Sequence, residues 1–115
     1  LFGLSHENYV SMLPKSITTA IGIGVSEELG GISTITTAVI IVTGVFGNVS
    51  ADIVYKVFNI KNPIAKGIGL GSSAHAIGTS KALEMGETEG AMSSLSIAVA
   101  GIITVIFASF FAKLI

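Results

Sequence analysis

GSSAHAIGTSKALEMG, residues 71–86, is the stretch on which the fold turns. Ser72, Ser73, His75, Thr79, Ser80 and Lys81 arrive within ten positions of a chain that is otherwise suited to lipid. Such a run is either a polar surface loop or polarity placed inside an apolar environment. The composition decides between them. Half of the 115 residues are hydrophobic and 11% are charged, with a mean hydropathy of +0.84, whereas a soluble domain carries about 25% charged residues. A water-facing surface on so small a protein needs more charge than this. The chain therefore reads as a membrane protein, and the stretch as a polar segment within it.

The same inventory excludes several functions. A net charge of −1 without a single arginine offers no nucleic-acid surface. With no cysteine there is no disulfide, thiolate nucleophile or thiolate metal site. His6 and His75 are too far apart in sequence for a local metal-ligand motif, so no metal and no cofactor are expected. The chain begins at Leu1 with no basic region before an apolar run, which argues against a signal peptide and for a fragment of a longer protein.

Two smooth spans, Ile32 to Ala51 and Ala91 to Ala112, are uncharged over 20 residues or more, about the length a bilayer demands of a helix. Two other segments, Pro14 to Leu29 and Pro63 to Met85, are strewn with glycines and hydroxyls. Each opens on proline, which suits the first helical turn. They read as interrupted membrane helices that face protein or water rather than lipid. Residues 1–13 read as a juxtamembrane lead-in, and Val49 to Asn62 as a polar connector holding Asp52, Lys56 and Lys61.

The two odd segments match each other. Ala20-Ile21-Gly22 aligns with Ala76-Ile77-Gly78 at an offset of 56, which pairs Ser16 with Ser72, Thr19 with His75, Glu28 with Glu84 and Gly30 with Gly86. After one inserted residue Gly44 meets Gly101. The expected fold is thus an all-α membrane protein forming a single transmembrane domain over 1–115. Its two similar units, about 14–57 and 63–115, each hold an interrupted segment followed by a smooth helix. Paired interrupted segments are a pointer to a transporter's central site. If all four segments cross, the lysines Lys15, Lys56, Lys61, Lys66 and Lys113 sort to one side, which becomes cytoplasmic. The acidic turns at Glu27, Glu28, Glu84, Glu87 and Glu89 take the other, and re-entrant hairpins would defeat that sorting.

LPKSITTAIGIGVSEELGGI, followed by KNPIAKGIGLGSSAHAIGTSKALEMGETEGAMSSLSIAVAGIIT, resembles the LrgB family, also called CidB-like, from about residue 13 to the end. Family members are longer, and the resemblance implies the C-terminal half of one. It also implies two functional pictures. One is an antiholin-like or holin-like protein of the bacterial cell membrane that modulates murein hydrolase activity and cell lysis. The other is the expected function, with the first as its alternative: movement of small monocarboxylates such as pyruvate, glycolate or glycerate, with or without coupled protons, as implicated for relatives that include a plastid envelope member. The implied partners are the lipid bilayer, a small carboxylate, a smaller LrgA/CidA-like membrane protein and, for a holin-like assembly, further copies of the chain.

The candidate substrate-binding residues are Ser16, Thr18, Thr19, Ser72, Ser73, His75, Thr79 and Lys81. An ionisable histidine near mid-segment is costly in a membrane and is a functional candidate by default. Ser72, His75 and Thr79 would share one face of an unbroken helix. Lys81 could pair with a substrate carboxylate or, less interestingly, with Glu84. The hydroxyls of the first segment could serve a carboxylate, or could simply pack helices closely. The expectation is one polar cavity in which the two segments face each other. Gly67, Gly69 and Gly71 lack the strand that a nucleotide-binding motif requires, no nucleophile elbow is present, and no enzyme is expected.

Overall fold

Asn62-Pro63 starts a helix as the sequence suggests. Proline at the first position forgoes an N–H that has no helical partner there. The Asn62 side chain accepts from the amides of Ile64 (2.9 Å) and Ala65 (3.2 Å). The computed structural model describes residues 3–114, which form five helices: α1 (His6–Met12), α2 (Thr19–Glu28), α3 (Ser33–Val57), α4 (Pro63–Met85) and α5 (Glu87–Ala112).

α3 and α5 are both longer than the uncharged spans. α3 runs on through Asp52 to Val57, so the expected connector over Val49 to Asn62 shrinks to a tight turn. Asn59 closes that turn in the left-handed region (φ 53°). Its N–H donates to the Lys56 carbonyl (3.2 Å), and the Ile60 N–H donates to the Tyr55 carbonyl (2.8 Å). This is the paired C-terminal cap that asparagine, like glycine, tolerates. The 26 residues of α5 rise about 39 Å at 1.5 Å per residue, matching the 40 Å long axis of the molecule.

α4 does not cross. At His75 the backbone takes φ 44°, ψ −136°, and the chain doubles back. Four residues to either side, Gly71 and Thr79 both meet Ser93: a Cβ on Gly71 would run into its backbone, and Thr79 Oγ1 lies 2.7 Å from its Oγ. Eight residues to either side, Gly67 abuts Glu89 and Leu83 abuts Gly90. A Cβ on Gly78 would lie 2.7 Å from the Leu70 carbonyl oxygen, although eight residues of straight helix would separate them by about 12 Å. The arms 63–74 and 76–85 thus lie side by side, each about 15–18 Å long, half of a hydrocarbon core roughly 30 Å thick.

The N-terminal part doubles back as well. The Thr36 hydroxyl sits 2.9 Å from the Ser11 carbonyl and 2.7 Å from Ser26 Oγ, bringing α1 and α2 to the same point on α3. Pro14 is not the start of a helix. It is buried in the turn between α1 and α2, with its carbonyl oxygen 3.5 Å from where a Gly22 Cβ would stand. Residues 14–29 are therefore a turn and a ten-residue helix rather than one crossing segment, and the lead-in is a packed helix.

Two corrections follow for the charges. α4 leaves at the end where it entered, so Glu89 shares a cavity with Lys56, Lys61 and Lys66. Lys113 closes the far end of α5, near α1, where Tyr9 donates to the Phe111 carbonyl (3.0 Å). Lysines and carboxylates do not sort to opposite sides.

Only 17% of the most apolar stretch of either α3 or α5 is buried inside the protein. Phe46 (72% exposed) and Phe110 (64%) point outward with Val42, Val49, Ile102 and Ile106. The central helix of a soluble protein would be covered. Apolar area on this scale marks a surface made for lipid or another protein.

Candidate functional site

The break in α4 is held by its neighbours. His75 is 2% exposed, and its Nε2 lies 2.9 Å from the Ile40 carbonyl oxygen of α3. A carbonyl can only accept, so Nε2 carries a proton and donates. Gly44 makes room for the ring: a Cβ there would stand 2.7 Å from Cε1 and 2.8 Å from Nε2 of His75. Asn48 Nδ2 donates to the Ile77 carbonyl (2.8 Å), binding α3 to the first turn after the break. Thr79 donates to the His75 carbonyl (3.0 Å) and meets Ser93 of α5. The polar groups at the turn are thus satisfied by α3 and α5, as apolar surroundings require.

Lys81 lies in the returning arm, about half a helix beyond the break. Its Nζ is 2.6 Å from Asp52 Oδ2 of α3 and 3.9 Å from Glu84. Glu84 was the foreseeable partner. Asp52 is the closer one, and the sequence hides it in a stretch that reads as a connector. The signal that could have found it is the Asn59 cap, which extends α3 over Asp52.

The remaining candidates are dispersed. Ser72 and Ser73 are exposed, and each hydroxyl bonds back to its own arm, at the carbonyls of Ile68 and Gly69. They line different cavities, Ser72 one between α4 and α5, Ser73 one between α3 and α4. Ser16 is half-buried and accepts from the Lys15 ammonium (2.8 Å). Thr18 caps α2 through its backbone, with its carbonyl accepting from Gly22 (2.9 Å), and Thr19 is the first residue of that helix. The expected shared face of Ser72, His75 and Thr79 is divided between the two arms by the reversal. The structure joins His75 to Thr79 through the Thr79 hydroxyl, and adds Ile40, Gly44, Asn48 and Ser93, none of which the motif announced.

A broken, doubled-back helix packed against two long apolar helices whose outward faces suit lipid marks the class: an α-helical membrane protein. Comparison with known sequences names its family. The chain belongs to the LrgB-like family, whose model matches residues 1–114. It is 45% identical over 105 residues to the antiholin-like protein LrgB of Bacillus subtilis (strain 168), covering 91% of this chain and 46% of that protein. It is 42% identical over 104 residues to the holin-like protein CidB of Staphylococcus epidermidis (strain RP62A), covering 90% and 45%. LrgB of Bacillus mycoides (strain KBAB4) is 44% identical over 96 residues, 84% of this chain and 42% of that protein. The chain spans about half the length of the relatives it matches. No solved structure matches it.

Proposed function

We propose that this chain is part of an antiholin-like or holin-like multi-pass protein of the bacterial cell membrane that modulates murein hydrolase activity and cell lysis. The observation that carries this reading is its identity of 42–45%, along about nine-tenths of the chain, to proteins bearing those names. A smaller membrane protein of the LrgA/CidA type is the proposed partner, and the lysine-rich end at Lys56, Lys61 and Lys66 faces the cytoplasm. The test is autolysis in a bacterium lacking its own LrgB-like gene and given the full-length protein. A changed lysis rate and murein hydrolase activity is expected. Unchanged lysis with the protein present in the membrane overturns the reading.

A second reading, transport of a small monocarboxylate such as pyruvate, glycolate or glycerate, is favoured by one observation. His75 and Thr79 stand at a broken segment, an expensive place for them in an apolar chain. Two units of α1–α2–α3 and α4–α5, inverted with respect to each other, fit this reading. What supports the duplication is that contacts recur at the offset seen in the sequence. Gly22 against the Pro14 carbonyl corresponds to Gly78 against the Leu70 carbonyl, and Gly44 against Ile77 corresponds to Gly101 against Ile21. Uptake of labelled pyruvate or glycolate into proteoliposomes separates the readings. Saturable uptake that falls in His75→Ala supports transport; leakage of large dyes without carboxylate selectivity supports a holin-like assembly.

A further inference from the structure

The α3–α4 turn carries a feature that neither reading uses. A cavity of about 420 Å³ opens beside it, lined by Lys56, Asn59, Lys61 and Lys66 together with Tyr55 and Ile60. Two carboxylates also reach it, Asp52 and Glu89. Asp52 is engaged by Lys81 at 2.6 Å, so three lysines face one uncommitted carboxylate and the cavity favours an anion. It is built rather than incidental. The Lys66 ammonium lies 5.9 Å from the centre of the Tyr55 ring, and the Tyr55 hydroxyl donates to the Lys66 carbonyl (2.8 Å). The amides of Ile64 and Ala65 are already taken by Asn62, so an anion here would be held by the lysines and not by the helix end.

The cavity does not stop at the polar groups. A second cavity of about 320 Å³ adjoins it, and Tyr55 and Ile60 line both. This one runs between α3 and the first arm of α4, past Ala51, Val54 and Leu70, with Gly47 and Gly69 also in its wall. A cationic pocket at the end of an apolar helix, continuous with an apolar groove directed toward mid-depth, has the shape and charge order of one kind of molecule. We infer that this is a site for an anionic phospholipid, with its headgroup phosphate at Lys56, Lys61 and Lys66 and an acyl chain in the groove between α3 and α4. The inference rests on the membrane reading of the chain and is independent of whether the protein regulates lysis or moves carboxylates. A lipid wedged there would fasten the first arm of α4 to α3 on the side opposite α5.

The test is lipid retention by the purified full-length protein, measured by native mass spectrometry with phosphatidylglycerol and phosphatidylcholine of identical acyl chains. The wild type is expected to retain phosphatidylglycerol preferentially. Lys56→Gln with Lys61→Gln is expected to lower that preference on the order of tenfold, while Lys56→Arg with Lys61→Arg, matched in helix content, keeps it. Ala65→Phe, at an exposed position on the groove, is expected to weaken retention of both lipids. Equal retention of the two lipids by the wild type, or an unchanged preference in the glutamine variant, overturns the proposal. So does binding of glycerol 3-phosphate that matches the lipid and is indifferent to Ala65→Phe, because the site would then take a soluble anion.

Discussion

His75 does two jobs whose costs differ, and substitution can separate them. Its backbone, at φ 44° and ψ −136°, lies where an L side chain is strained and glycine is at ease. Such strain costs on the order of 1–3 kcal/mol. Its ring returns one hydrogen bond to Ile40 and fills the space that Gly44 leaves. His75→Ala should lose the ring and keep the strain, whereas His75→Gly should lose the ring and relieve it. Thermal melting in detergent is expected to rank the glycine variant above the alanine variant by about 1 kcal/mol or more. The reverse order would mean that the reversal is not imposed on the residue. Gly44 gives a matching test. In an open helix, alanine for glycine gains up to about 1 kcal/mol, but a Cβ at 44 would stand within 2.8 Å of the His75 ring and of Ile77. Gly44→Ala should cost roughly 1–3 kcal/mol through overpacking. Gly101→Ala, whose Cβ would meet only Ile21 at 3.4 Å, should be neutral or stabilising.

At the scale of the element, α4 is two short helices that neither lipid nor water would hold together. The first arm is bounded by Asn62-Pro63 and packed on α5 through Gly67 and Gly71. The returning arm depends on the Asn48 bond at its start, Thr79 on Ser93, and the Lys81–Asp52 pair. Reversing one charge of that pair sets two like charges against each other, so Asp52→Lys should loosen the returning arm preferentially. Hydrogen exchange is expected to quicken across residues 76–85 while 63–74 stay protected, and Asp52→Lys with Lys81→Asp should restore protection. Equal quickening in both arms would show that the hairpin opens as one unit. Much of this element was legible: its limits at Pro63 and Met85, its polarity and the unusual placement of a histidine at position 75. The reversal was not. The residues on either side of His75 keep good helical composition, and the backbone of that single residue changes the direction of everything after it. The face shared by Ser72, His75 and Thr79 is sound periodicity applied across a break that periodicity cannot register.

For the whole molecule, the same reversal decides which charges share a side. Composition and the two uncharged runs suffice for an α-helical membrane protein, because apolar length and scarcity of charge are properties of sequence. Sidedness depends on how many segments cross, and here glycine-rich polar stretches of crossing length fold back instead. Of the candidate site, His75 and Thr79 were recoverable because polarity is conspicuous in an apolar run. Ile40, Gly44 and Ser93 were hidden, since a carbonyl, a missing Cβ and a helical serine acquire meaning only when a distant segment packs on them. These 115 residues contain no cysteine, so single cysteines placed among them can report their sidedness directly. Asn59 lies before α4 and Thr88 after it, and a crossing α4 would put them on opposite faces of the membrane. With α4 re-entrant, Asn59→Cys and Thr88→Cys should react with an impermeant maleimide from the same face of sealed vesicles. Glu28→Cys, at the end where α3 begins, should react only from the other. Labelling of 59 and 88 from opposite faces would restore the crossing topology and remove the hairpin. Their labelling from one face, with 28 on the other, leaves α3 and α5 as the only full crossings among the described residues, each flanked by a segment that turns back within the membrane.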